Sequence, residues 1–210
     1  MDDNRRPIKT RSAGWAKYIT QRLVNSNITP NQISVVSIVF ALFGAAALNI
    51  DDGITGSILC ALAIQLRLLC NLFDGMVAIE GGKQSAIGSL YNEFPDRVAD
   101  SLLIVGLGYA IGQSDLGWFA ALAAALTAYV RVFGGSLGLA QSFIGPMAKQ
   151  HRMAVMTVAL LLNAFEASYY STHYALLIAL TIIAIGSVAT CVSRTLAIAR
   201  QLKGNHHVDQ

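Results

Sequence analysis

The chain has 210 residues, of which 54% are hydrophobic and 13% charged, and a net charge of +3. A water-soluble domain carries about a quarter charged residues, so the composition excludes one and points to lipid as the solvent. The three cysteines, Cys60, Cys70 and Cys191, fall in apolar stretches without metal-ligand spacing, which excludes a disulfide framework and reads them as small hydrophobes.

The N-terminus is polar and basic, with Arg5, Arg6, Lys9 and Arg11, and no cleavable signal is expected from it. Residues 13–25 predict a short amphipathic helix with Trp15, Tyr18, Ile19 and Leu23 roughly on one face. Lys17 and Arg22 lie off that face, a pattern that suits a helix lying in the membrane interface. Thr29-Pro30-Asn31 then starts the first long apolar helix, Pro being at home early in a helix.

A membrane-spanning helix needs about 20 mostly apolar residues. Six segments qualify, near 31–50, 55–79, 88–112, 116–142, 152–168 and 173–199, some only with polar residues turned inward. Alternate connections carry the positive charge: Lys17 and Arg22 before the first span, Lys83 after the second, Lys149 and Arg152 after the fourth, Arg194, Arg200 and Lys203 at the end. The other connections hold Asp51, Asp52, Asp115 and Glu166 and no Lys or Arg. The positive-inside rule therefore predicts both termini on the cytoplasmic side and an even number of spans. Residues 1–203 read as a single all-α membrane domain, and 204–210, with His206 and His207, as a disordered tail. In the fourth span Gly134 and Gly138 form a small-xxx-small pair, read as helix packing.

The chemistry is concentrated in residues 71–100. Asn71 and Asp74 share one helix face, as do Asn92, Asp96 and Asp100 on the next helix, with Glu80-Gly-Gly-Lys83 as the turn between them. Acids inside a membrane are costly and normally face a cavity or a counter-ion. Arg67, Arg97 and Arg131 are the basic residues inside spans, and a purely structural pairing with the acids stays open. Hard oxygen donors of this kind suit Mg²⁺, Mn²⁺ or Ca²⁺. No His or Cys stands with them, against zinc. Pro95 frees the Tyr91 carbonyl and predicts a kink at the site.

This stretch resembles the signature of the CDP-alcohol phosphotransferase family, Asp-x2-Asp-Gly-x2-Ala-Arg, eight or nine residues, Gly-x3-Asp-x3-Asp. The chain matches at Asp74, Gly75, Ala78, Gly88 and Asp96, with eight residues between Ile79 and Gly88. It departs at Asn71 and Asn92, where the family has Asp, and at Ile79, where the family has Arg. The six spans, the interfacial helix and the Thr-Pro-Asn start agree with the family.

The resemblance implies transfer of a phosphatidyl or related phosphoryl group from a CDP-linked donor, CDP-diacylglycerol above all, to a small alcohol with release of CMP, in phospholipid synthesis. It implies Asp96 as the general base for the acceptor hydroxyl. Two Mg²⁺ or Mn²⁺ ions are implied on Asn71, Asp74, Asn92 and Asp96, with Asp100 as an addition. The nucleotide is implied to lie against Asp74, Gly75, Ala78, Ser85 and Gly88, with Lys83 binding the donor phosphate that the apolar Ile79 cannot hold. Arg131, Lys149 and Arg152 suggest an anion pocket for a phosphorylated acceptor, with ordinary positive-inside flanking as the other reading. A homodimer in a bacterial inner membrane, its site facing the cytoplasm, is also implied, with membrane lipid and no nucleic acid as partner. Two other classes stay open: a divalent-cation transporter using the same acids, and an inactive relative. The acceptor alcohol is not identified by the residues.

Overall fold

The computed structural model describes residues 13–206, which form seven helices and no strand. They are α1 (Gly14–Val24), α2 (Pro30–Ile50), α3 (Ile54–Glu80), α4 (Gly88–Ala110), α5 (Ser114–Ser136), α6 (Lys149–Tyr170) and α7 (Tyr174–His206). The basic residues Arg5, Arg6, Lys9 and Arg11, and residues 207–210, lie outside the described part. Helix α7 runs on through His206, into the stretch expected to be tail.

Local chemistry sets the boundaries. Thr29 and Gln32 form a reciprocal capping box at the start of α2, the Gln32 amide donating to Thr29 Oγ1 at 3.3 Å and the Thr29 amide to Gln32 Oε1 at 2.9 Å. After α2, Asp51 accepts from the Gly53 and Gly56 amides at 2.8 and 3.2 Å, which holds its carboxyl below the usual carboxylate range. Glu166 was expected in a connection. It lies in the last turns of α6 and caps α7, accepting from the Tyr174 and Ala175 amides at 2.7 and 2.9 Å.

Five helices, α2, α3, α5, α6 and α7, are long and apolar enough to cross a membrane. With the membrane-protein composition, this makes the chain an integral, polytopic all-α membrane protein. Six spans were expected; α4 has the length but carries Glu93, Asp96, Arg97 and Asp100. The expected fourth span also ran too far. Helix α5 stops at Ser136, and Gly138 follows it in the left-handed region at φ +79°. Gly134 and Gly138 therefore do not share a helix face. Gly134 alone packs, leaving no room for a Cβ beside Ile198 of α7.

Helix α2 packs along both α3 and α4, α5 along α7 and α4, and α6 against α3 and α7. The shared core includes Leu48, Ile64, Leu103, Leu107, Met156, Leu160 and Leu180. Helices α3 and α4 are consecutive yet barely touch. That separation matters most for function, because it opens a space between the two polar faces.

Helix α1 lies across one end of the bundle, against α3. Its buried residues are Ala16 and Thr20, packed with Leu72, Phe73 and Met76, while Trp15, Tyr18 and Ile19 stay largely exposed. Trp15 meets Phe73 edge-on at 6.2 Å. The large side chains expected on one apolar face are thus not what holds α1 to the protein; the small ones are.

Candidate active site

The space between α3 and α4 is a cavity of about 1030 Å³. It sits at the end of the bundle where α2 and α6 begin and α3 ends. Asn71, Asp74, Gly75 and Ala78 of α3 line one side, and Ser85, Gly88, Asn92 and Asp96 the other. Arg131, Lys149, Arg152 and Arg194 enter from α5, α6 and α7. Helical spacing put the acids on common faces, and the structure brings those faces to one cavity.

The two acids that line it differ sharply. Asp74 is only 4% exposed and accepts from the Ser34 hydroxyl on α2 at 2.6 Å through Oδ2. Its Oδ1 is buried and, the neighbouring Gly75 amide aside, has no partner. Asp96 is surrounded by positive charge. Lys149 Nζ lies 2.5 Å from Oδ1, Arg67 Nη2 3.6 Å from the same oxygen, and Arg97 Nη2 3.8 Å from Oδ2.

Asp100 does not belong to the cavity. Arg67 Nη2 binds its Oδ1 at 2.5 Å and Arg152 Nη2 its Oδ2 at 2.8 Å, all three side chains being buried. Both carboxylate oxygens are taken, so Asp100 is a clamp between α3, α4 and α6 and not a free metal ligand. Lys83 lines the cavity, but its ammonium donates to the Ser26 and Ile28 carbonyls at 2.7 and 3.2 Å, tying the α3–α4 turn to the α1–α2 linker.

The arginines are held by their own partners. Arg131 donates to Glu93 Oε2 and Gln141 Oε1, each at 2.6 Å, and lies over the Phe143 ring. Arg194 donates to the Ile144 and Thr127 carbonyls. Arg152 donates to the Met147 carbonyl at 2.9 Å as well as to Asp100. Lys149, expected among them, pairs instead with Asp96. Arg194 was read from sequence only as a cytoplasmic flank, and Ser34 and Glu93 were not singled out. All three come from helices far along the chain from the signature or off its spacing, so no pattern marked them.

No family model matches the chain. It is 27% identical over 201 residues to a phosphatidylinositol phosphate synthase of Cutibacterium acnes, covering 90% of this chain and 95% of that one. It is 24% identical over 153 residues to an archaetidylinositol phosphate synthase of Pyrococcus horikoshii, covering 72% and 79%. The fold matches Mycobacterium tuberculosis phosphatidylinositol phosphate synthase with CDP-DAG bound, at a TM-score of 0.75 and 19% identity over 89% of this chain and 94% of that one. The same synthase with manganese and citrate matches at 0.71 and 18% identity, over 87% and 88%.

The chain belongs to the CDP-alcohol phosphotransferase family. The five positions at which it matches the family signature, Asp74, Gly75, Ala78, Gly88 and Asp96, all line the one cavity. So do the three at which it departs, Asn71, Asn92 and Ile79. For a CDP-alcohol phosphotransferase the donor set is sparse: among the described residues no three His, Cys, Asp or Glu side chains are grouped to hold a metal. The buried Oδ1 of Asp74 and the partnerless Nδ2 of Asn71, whose amide can turn to present its oxygen, still suit a hard cation on the α3 side.

Proposed function

We propose that the protein transfers the phosphatidyl group of CDP-diacylglycerol to a phosphate-bearing alcohol of the inositol phosphate class, releasing CMP. The observation that carries this reading is a single cavity with the signature residues on α3 and α4 at one side and Arg131, Arg152 and Arg194 at the other. A nucleotide diphosphate and a phosphorylated acceptor are both anions, and their reacting ends must meet. Arginine is suited to the second because its planar guanidinium matches a phosphate's oxygens.

In this reading the small residues Gly75, Ala78 and Gly88 let the cytidine lie close to the helix backbones, with Ser85 beside it. Asp74, with the amide oxygens of Asn71 and Asn92, would hold a divalent cation, Mg²⁺ or Mn²⁺, which supplies charge neutralisation for the diphosphate. The arginines orient the acceptor so that its hydroxyl faces the phosphorus bonded to the lipid alcohol. Asp96 takes the hydroxyl proton as the new oxygen–phosphorus bond forms. The bond from that phosphorus to CMP breaks, and CMP leaves with the electron pair. Positioning and charge neutralisation carry most of such a transfer.

The same reading gives the topology. Helix α4 is the sixth crossing, its charged half covered by α2, α5 and the cavity. The basic connections place both termini and the cavity mouth in the cytoplasm of a bacterial inner membrane. Helix α1 lies in the interface with Trp15 and Tyr18 among headgroups, and the protein works as a homodimer. Below Asp96 the interior is filled by Arg67, Asp100, Leu103 and Met153; a transporter would need a path there.

Purified protein is incubated with CDP-diacylglycerol, Mn²⁺ and separate acceptors: inositol phosphate, inositol, glycerol phosphate and serine. CMP release and the mass of the lipid product are measured. The reading expects a product with a phosphate-bearing acceptor. Product only with an uncharged or zwitterionic acceptor, or no CMP from any, overturns it.

A further inference from the structure

We infer that this chain holds one divalent cation, on the Asp74 side of the cavity, and that the Lys149 ammonium occupies the second cation's place beside Asp96. The inference rests on the transferase reading and specifies its metal centre.

Three helices deliver positive charge to Asp96. Lys149 at the start of α6 touches Oδ1 at 2.5 Å, Arg67 of α3 approaches the same oxygen at 3.6 Å, and Arg97 of α4 approaches Oδ2 at 3.8 Å. A divalent ion bonded to Oδ1 at about 2 Å would lie against that ammonium. One of the two must leave, and the ammonium is tethered to a buried helix start. Asp74 presents the opposite environment. Its hydrogen-bond partner on another helix is the neutral Ser34 hydroxyl, and among the described residues no ion pair reaches it. Its Oδ1 is buried without a partner from another element, and one turn earlier on the same face Asn71 Nδ2 is buried and partnerless as well.

Charge points the same way. Two of the four oxygen-bearing signature positions are Asn71 and Asn92, so the cavity has two carboxylates where the family pattern has four. Four carboxylates balance two divalent ions. Two carboxylates that already hold an ammonium leave a large positive excess with two ions and a single unit with one. The loss of the two acids and the arrival of Lys149 at Asp96 are therefore two halves of one rearrangement.

The test counts metal and needs no CDP-lipid. The purified full chain in detergent is titrated with Mn²⁺, and bound ion is read by electron paramagnetic resonance and elemental analysis. One Mn²⁺ per chain is expected. Asp74→Asn should weaken it at least tenfold, and Lys149→Met should admit a second ion. Lys149→Arg, which keeps the charge, should stay at one and reports on folding if the methionine variant is unstable. Two ions in the parent chain, or one in Lys149→Met that remains folded, overturns the inference and leaves the transferase reading intact. One bound ion with no CMP release does the reverse.

Discussion

Arg67 Nη2 on α3 lies 2.5 Å from Asp100 Oδ1 on α4, with both side chains buried. This pair joins two helices that otherwise barely touch, and Arg152 of α6 closes the other side of the same carboxylate at 2.8 Å. The clamp sets the spacing of the cavity walls above it. Removing one partner of such a pair leaves a buried charge uncompensated, at about 3–5 kcal/mol. Arg67→Met is expected to lower the thermal midpoint in detergent markedly. Asp100→Leu in the same chain should recover part of the loss, because the orphaned acid is gone. A midpoint unchanged by Arg67→Met would contradict the clamp.

Asp96→Asn keeps shape and hydrogen bonding but removes the proton acceptor. CMP release is expected to fall on the order of 10²–10⁴-fold, with the KM for CDP-diacylglycerol nearly unchanged. Steady-state CMP release across donor concentrations checks this. A fall in affinity alone would move Asp96 from chemistry to binding.

The Ser34 hydroxyl holds Asp74 from a helix outside the signature, at 2.6 Å. A hydrogen bond to a charged group contributes about 1.5–3 kcal/mol. Ser34→Ala is therefore expected to weaken Mn²⁺ binding by about tenfold or more while leaving the melting midpoint close to the parent's. Metal titration and thermal melting together decide it.

Arg131 reaches the cavity while anchored by Glu93 and Gln141. Arg131→Gln removes charge from the acceptor side only. The KM for a phosphate-bearing acceptor is expected to rise about 10–100-fold, in line with one charge-assisted contact, and the KM for CDP-diacylglycerol to stay put. A shift in the donor KM instead would place Arg131 on the nucleotide side.

Gly145 turns the α5–α6 loop at φ +114°, and a Cβ there would lie 2.6 Å from Thr190 Cγ2. Thr190 in turn accepts from the Met147 amide at 2.9 Å, so the turn seats the start of α6 and with it Lys149. Gly145→Ala is expected to cost roughly 1–3 kcal/mol of stability and to lower CMP release by misplacing Lys149. A variant with the parent's melting point and rate would show that the loop adapts.

Much of this was readable in the residues themselves. Apolar runs of membrane length are a local property, and five of the six expected spans answer to helices that meet it. The sixth is long enough but too charged, because α4 spends its polar half inside the protein. The signature spacing placed Asp74, Asn92 and Asp96 correctly, since an α-helix converts three- and four-residue steps into a shared face whatever surrounds it. Asp100 obeys the same spacing yet faces away from the cavity's ligands, because Arg67 and Arg152 bind it.

Covalent order alone thus settled which residues share a helix, which helices suit lipid and which oxygens stand one turn apart. Those are consequences of backbone geometry and side-chain polarity within a few turns. Which charge answers which was decided by the packed bundle. Lys149 on α6 meets Asp96, Ser34 on α2 meets Asp74, and two arginines hold Asp100. In a low-dielectric interior each buried charge must find a partner across helices, and only the assembled tertiary structure determines which partner is within reach.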